Sequence, residues 1–341
     1  MSAAVIAHGR RTRVRRRTFV TGLLILLVLA VYAVSLMVGN TFYSPGEVMR
    51  VVLGETVPGA SFTVGELRLP RSSLAVLAGI AFGMAGVTFQ TMLRNPLASP
   101  DIIGITAGAS AAAVVGIVFF SLSGAAVSAV ALAGGLVTAL AIAGLSSRGA
   151  FSGTRLILIG IGVAAMLDAV VTYALSQAAA WDLQTAMRWL TGSLNGATWE
   201  SAAPVVIATI VLVPVLLAQG RNLDLLRLGD DTAAALGVRV GRTRLTLLLV
   251  AVALLAIATA ATGPIAFVAF MAGPIAARLV GPAASLALPA GLVGALLVLV
   301  ADLVGQFAFD GRYPVGVVTG ALGAPFLVLL LIRTHRSGGS L

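Results

Sequence analysis

No lysine and no cysteine occur among the 341 residues, and the two histidines, His8 and His335, stand in the terminal tails. A P-loop needs its lysine, so nucleotide hydrolysis by that route is excluded. Without cysteine there are no disulfides, thiolate nucleophiles, Cys-ligated zinc or Cys-held iron–sulfur clusters. With no histidine inside the chain, a Ser-His hydrolase, a haem ligand or a His-metal cluster has nothing to build on. Charge is scarce as well: 10% of residues are charged and 59% hydrophobic, with a mean hydropathy of +1.06. A soluble domain is roughly a quarter charged, so a soluble globular protein is excluded.

What is present is apolar length. At roughly 20 residues per membrane crossing, hydropathy and helix breakers divide the chain into ten expected crossings, near 18–39, 69–92, 102–121, 124–146, 155–178, 201–218, 244–261, 264–280, 285–306 and 315–333. Gly263, Pro264, Gly273 and Pro274 interrupt the eighth, which reads as a short half-helix followed by a tilted one. The reading is one all-α polytopic domain over 18–333, with a basic cytoplasmic tail at 1–17 and a cytoplasmic tail at 334–341.

All 22 basic residues are arginine, and their placement gives an orientation. With the N-terminus inside, six lie in the first tail, and Arg94, Arg148, Arg155, Arg221, Arg227, Arg239, Arg242, Arg244, Arg278, Arg333 and Arg336 lie on inner connections. Only Arg50, Arg68, Arg71, Arg188 and Arg312 fall outside, a 17 to 5 division that favours this orientation over its inverse. The first cluster, Arg10 to Arg17, directly precedes an apolar run and so reads as a cytoplasmic anchor, not a nucleic-acid site.

Several polar features stand out against this background. The inner stretch 219–243 predicts a short helix, with Asp230 or Asp231 as N-cap, Ala233 to Leu236 as its body and Gly237 as the glycine after its end. Such a helix between two crossings suggests a docking surface, an ordinary loop turn being the alternative. Gly79 with Gly83, Gly104 with Gly108 and Gly316 with Gly320 stand at helix-packing spacing. Asp168 and Asp302 lie inside crossings; an intramembrane acid is either a proton or cation site or a structural group near a helix end, and for Asp302 the structural reading is favoured. An offset of five crossings would make inverted repeats of helices two to five and seven to ten, without evident residue-level similarity.

The segments RLPR (68–71), Gln90, RNPLASP (94–100), IGITAGA (103–109), RWLTGSLNG (188–196), LGDDTAAALGV (228–238), GPIAFVAF (263–270), AD (301–302) and PVGVVTGALGAPF (314–326) occur in one order along the chain. In that order they resemble the FecCD-type permeases of ABC importers for iron-siderophores, haem and cobalamin. The resemblance implies a type II ABC importer fold of ten helices in the bacterial cytoplasmic (inner) membrane. It also implies a second permease subunit, identical or sister, an extracytoplasmic binding protein, and separate ATPase subunits that bind ATP and magnesium, with no cofactor in this chain.

Residue by residue, the resemblance places binding-protein docking at Arg68 and Arg71, with Arg312 as a substitute for the basic residue absent at Gln306. It places the cytoplasmic gate at Asn95, Leu97, Gly153 and Thr154, and ATPase coupling at Asp230, Asp231, Ala234, Ala235, Leu236 and Gly237. The chain departs from the family pattern at Gly273-Pro274, Gln306 and Arg312-Tyr313-Pro314. The RWLTGSLNG stretch favours an iron-siderophore cargo. From a different class, a proton-coupled secondary transporter would use Asp168 and Asp302.

Overall fold

The computed structural model describes residues 3–101, 104–146, 153–281 and 285–336. Among the described residues every regular element is helical: α1 (Ala3–Met37), α2 (Pro45–Val52), α3 (Leu69–Met92), α4 (Ile105–Phe120), α5 (Ala125–Ser146), α6 (Gly153–Gln177), α7 (Ala180–Leu190), α8 (Trp199–Ala218), α9 (Gly220–Leu226), α10 (Asp230–Ala235), α11 (Val240–Thr262), α12 (Val268–Val280), α13 (Ala287–Phe307) and α14 (Val315–Arg336). Eight are long and apolar enough to cross a membrane, and α4 and α12 are shorter apolar helices of 16 and 13 residues. Each of the ten expected segments therefore contains an apolar helix, eight of them of crossing length. Outer and inner, below, follow the orientation expected from arginine placement.

Helix α3 is the centre of the bundle, lying against α13, α12, α11 and α8. Its approach to those neighbours is limited only by backbone. A Cβ on Gly79 would meet the backbone of Gly294 and Ala295, one on Gly83 that of Ala290, and one on Gly86 that of Ala269. This is the small-residue contact expected for Gly79 and Gly83: without a hydrophobic drive between helices in lipid, close van der Waals packing has to hold them together. A Cβ on Gly104 would meet the Gly160 carbonyl, and one on Gly108 the Thr138 side chain first and then the Gly134 carbonyl. Gly316 packs on the Thr191–Gly192 backbone, a loop and not a helix, whereas a Cβ on Gly320 meets open space.

The eighth crossing differs from expectation. There is no half-helix: residues 263–267 are non-helical, and a single helix, α12, follows with Pro274 inside it. The non-helical chain is tied at its outer end, where Ser193 N–H donates to the Thr262 carbonyl at 2.7 Å and Thr262 Oγ1 donates to the Gly263 carbonyl at 2.8 Å. Further in, Phe267 takes a left-handed backbone conformation (φ 63°) and lays its ring where Gly323 of α14 leaves room. Phe267, Phe270 and Phe326 then stack edge to face at 6.2 Å spacings. Irregular backbone at this depth is tolerable because protein covers it.

Three outer elements fall within or at the edge of expected loops. The 40–67 loop contains α2, closed by a Ser44–Glu47 capping box, and an eight-residue π-helix, Ser61–Arg68, running straight into α3. Pro70 lacks an N–H, which suits the change from π to α winding there. Helix α7, between α6 and α8 in the chain, packs against α4. At the inner face the basic tail is not a separate segment: α1 begins at Ala3 and continues through the crossing. Arg148, the first residue of the IGITAGA stretch and the last five residues of the C-terminal tail lie outside the described residues.

Because the Gly86–Ala269 approach leaves no space for a side chain, Gly86→Val should cost a few kcal/mol by overpacking. Gly320→Val should cost little in the isolated chain. Thermal unfolding of the two purified variants in detergent checks this. Similar melting temperatures would refute the packing assignment.

Candidate functional sites at the two faces of the bundle

At the outer face, residues from distant parts of the sequence meet around one cavity of about 500 Å³, lined among others by Arg68, Arg71, Asn195, Asp302, Gln306 and Arg312. All three arginines expected to dock a partner are therefore brought together, with Asp302 and Gln306 beside them. Their tasks differ. Arg71 forms a two-pronged pair with Asp302, Nε to Oδ2 at 2.9 Å and Nη2 to Oδ1 at 2.8 Å, and also donates to Asn195 Oδ1 at 2.7 Å. Gln306 donates to Asp302 Oδ2 at 2.6 Å, so a neutral amide stands where the family pattern has a cation. The pair is largely desolvated, with the Asp302 side chain 9% exposed and that of Arg71 20%.

Arg68 turns back to the end of α1, donating to the carbonyls of Leu36 (2.8 Å), Met37 (2.9 Å) and Thr41 (2.6 Å). A helix end leaves its last carbonyls without intrahelical partners, and a guanidinium satisfies several at once. Arg312 is exposed on the rim and touches Asn40 Oδ1 at 3.0 Å. The sequence expectation gave all three a docking role; the geometry commits Arg68 and Arg71 to partners within the chain and leaves Arg312 presented to solvent.

In the last turn of α3, Gln90 donates to the Phe270 carbonyl of α12 at 3.0 Å, and its Oε1 occupies the space a side chain at Gly273 would take. The departure from the family pattern at Gly273-Pro274 is thus matched to Gln90. At the inner end of α3 the chain turns on Arg94, left-handed at φ 51°, and Asn95 Oδ1 accepts from Leu97 N–H at 2.9 Å. This is an Asx turn, for which Asn before Pro is well suited. Leu97 packs towards Phe270, Met271 and Leu330. Gly153 comes up against Leu93, two residues before Asn95, so the expected gate residues at 95–97 and at 153–154 lie on neighbouring stretches, with Thr154 exposed.

Sequence reasoning assigned nothing to Asp101, which closes this inner turn. Its carboxylate accepts from Thr106 Oγ1 at 3.3 Å and Ser99 Oγ at 3.4 Å, while burial pushes its pKa up to about 6, against those two hydrogen bonds. The available signal was the only acid in the inner connection 93–101.

The inner helix α10 forms, but its N-cap is Gly229 (φ 105°), not Asp230 or Asp231, which occupy the first turn. Asp230 is drawn off by charge: Arg244 Nη2 lies 2.7 Å away and Arg94 Nη2 3.9 Å. At the other end Gly237 (φ 86°) sits where expected. Its N–H donates to Ala234 at 2.9 Å and that of Val238 to Ala233 at 2.9 Å, a Schellman closure. Ala233 is buried beneath, leaving Ala234, Ala235, Leu236 and Gly237 exposed, with Leu236 54% exposed.

On α6, Thr154, Leu158, Ile161, Ala165, Asp168, Thr172 and Ser176 follow one another at spacings of three and four, so they share a face, and each is exposed. Asp168 therefore lies in mid-helix on an open surface, with Thr172 Oγ1 bonded to its carbonyl at 2.9 Å. Among the described residues, no three His, Cys, Asp or Glu side chains cluster as metal ligands would.

This arrangement, with an apolar bundle around one central helix, polar groups at both mouths and an exposed inner helix, is that of a multi-pass membrane transport domain. The chain belongs to the FecCD transport family, whose model matches residues 25–333. It is 42% identical to the ferric enterobactin transport system permease protein FepG of Escherichia coli (strain K12), over 95% of this chain and 98% of that protein. It is also 42% identical to the achromobactin transport system permease protein CbrC of Dickeya dadantii (strain 3937), over 96% of each. A solved inward-facing structure of a metal-chelate type ABC transporter superposes with a TM-score of 0.82 at 27% identity, covering 93% of this chain and 99% of that one.

Arg71 and Asp302 separate structural from docking duty by a double-mutant cycle. Asp302→Leu strands a desolvated guanidinium and should cost on the order of 3 kcal/mol, whereas adding Arg71→Met should recover most of it. Melting temperatures of the three variants check this; an Arg71→Met variant as stable as the parent would contradict the pair's structural role.

Proposed function

We propose that the chain is the permease subunit of a binding-protein-dependent ABC importer and forms half of the pathway for a ferric siderophore. The cargo follows from relatives such as the enterobactin and achromobactin permease proteins. One observation carries the mechanism: the exposed face of α6 runs from Thr154, at the inner gate, past Asp168 at mid-depth to Ser176. A carboxylate facing lipid at that depth is costly by about 3 kcal/mol or more, so this face requires water or protein over it. A second permease, identical or sister, packed so that two such faces oppose supplies both.

In this reading the outer cavity is the entrance. The binding protein meets Arg312 on its rim, while Arg68 and Arg71 fix the surface on which it docks, Arg68 by holding α1 and Arg71 by holding α13 through Asp302. The ten helices leave both termini inside, in the bacterial cytoplasmic membrane. The face of Ala234, Ala235 and Leu236 seats in a separate ATPase, which binds ATP and magnesium. Asp230 then joins that contact to the gate turn through Arg94 and Arg244. The proton-coupled alternative loses one of its two acids, because Asp302 is occupied by Arg71 and Gln306.

Leu236→Asp puts an unpaired charge into a contact that has to be dry, a loss of about 2–5 kcal/mol. Uptake of a radiolabelled ferric siderophore in cells carrying the intact importer should fall at least about tenfold, with the chain still inserted in the membrane. Uptake equal to the parent would overturn the coupling assignment. Uptake that persists when the ATPase is deleted and collapses with a protonophore would overturn the importer reading.

A further inference from the structure

A second recess, of about 700 Å³, opens on the inner face where α1, α8, α9 and the start of α13 meet. Three arginines line it, Arg17, Arg221 and Arg227, against one acid, Asp224, so it carries two net positive charges. Among the described residues none of the three guanidinium groups forms a salt bridge. Asp224 is a weak counter-ion: burial raises its pKa, against the lowering effects of Arg227 and Arg17. The neighbouring Arg16 explains how Arg17 is held. Arg16 donates to the carbonyls of Leu279 and Arg278 at the end of α12, both at 3.1 Å, which pins this turn of α1.

The depth of the recess is fixed by its walls. Arg17 stands at the head of the first apolar run, Arg221 three residues beyond the end of α8, and Leu217 and Leu288 are on spanning helices with exposed side chains. Cationic forks therefore sit just above an apolar wall, at the level where a bilayer changes from acyl chain to headgroup. Arginine's planar fork suits phosphate oxygens, and Ser285 adds a hydroxyl to the lining. Basic recesses between spanning helices on the cytoplasmic side hold anionic headgroups.

We propose that this recess binds the phosphate of an anionic phospholipid headgroup, the acyl chains lying along Leu217 and Leu288. A bound lipid would tie α1, α8 and α13 together next to the coupling helices, giving the inner face a requirement for acidic lipid. The site rests on the membrane reading alone, and neither cargo nor ATPase enters its test.

The full-length chain is reconstituted in nanodiscs of phosphatidylcholine with or without phosphatidylglycerol, then examined by native mass spectrometry for retained lipid and by thermal unfolding. The parent should retain phosphatidylglycerol in preference to phosphatidylcholine and melt higher with it. Arg221→Gln with Arg227→Gln should lower that retention at least about tenfold, while Arg11→Gln with Arg13→Gln, exposed residues of the same basic helix, should leave it unchanged. Arg17→Gln alone, with a loss of about fivefold, serves if the double variant does not fold. Unchanged retention in the recess variants, or an equal loss in the Arg11 and Arg13 variant, would overturn the proposal. Equal stabilisation by soluble glycerol phosphate would also overturn it, in favour of a free phosphate site.

Discussion

Everything in this molecule depends on how closely other helices can approach α3. Gly79, Gly83 and Gly86 bring its backbone against α13 and α12, and 78% of its most apolar window is buried. In lipid there is no hydrophobic gain from pushing apolar helices together, so contact has to come from shape. Once α3 is fixed, its two ends are fixed as well. The outer end carries Arg68 and Arg71, and the inner end carries the Arg94–Leu97 turn. In the proposed reading, the two mouths of the pathway are two ends of one rigid rod.

The polar contacts then become intelligible as fasteners between that rod and its neighbours. Arg71 joins it to α13 through Asp302, Gln90 joins it to α12 through a backbone carbonyl, and Arg68 caps α1. Each costs desolvation, which good geometry and additional hydrogen bonds, such as those of Asn195 and Gln306 around the Arg71–Asp302 pair, offset. Near the inner turn, Asp230 lies between Arg244 and Arg94. The Arg94 contact is long and half exposed, so it is a loose link and contributes little to stability. If α10 couples and the Arg94–Leu97 turn gates, as proposed, a loose link suits the junction, because the two must be able to move together and come apart.

How much of this the sequence disclosed depends on the range of the interaction. Hydropathy located the apolar segments, and Gly79, Gly83 and Gly237 were legible because their spacing or position carries the physics locally. Contacts between distant residues were not: Arg71 and Asp302 are 231 positions apart, and nothing near either names the other. The same holds for Arg68, whose outward position looked like a surface charge until the end of α1 was placed beside it. Asp230 missed its capping role because Arg244, fourteen residues on, competes for the carboxylate. At 263–267 Gly263 and Pro264 signalled an interruption, but not that Phe267 turns left-handed and fills the space left at Gly323. Helix α7 went unseen because it does not cross the bilayer.

The central claim is that the Thr154–Ser176 face of α6 lines a water-filled path between two permeases. Because the chain has no cysteine, single thiols on α6 report without background. The direct measurement is the reaction rate of a small water-soluble thiol reagent with Ala165→Cys and Thr172→Cys, compared with Val170→Cys, which is exposed but turned away from that face. The account predicts that in the assembled importer the first two react and Val170→Cys does not. Protection of Ala165→Cys and Thr172→Cys, with reaction confined to Val170→Cys, would contradict it.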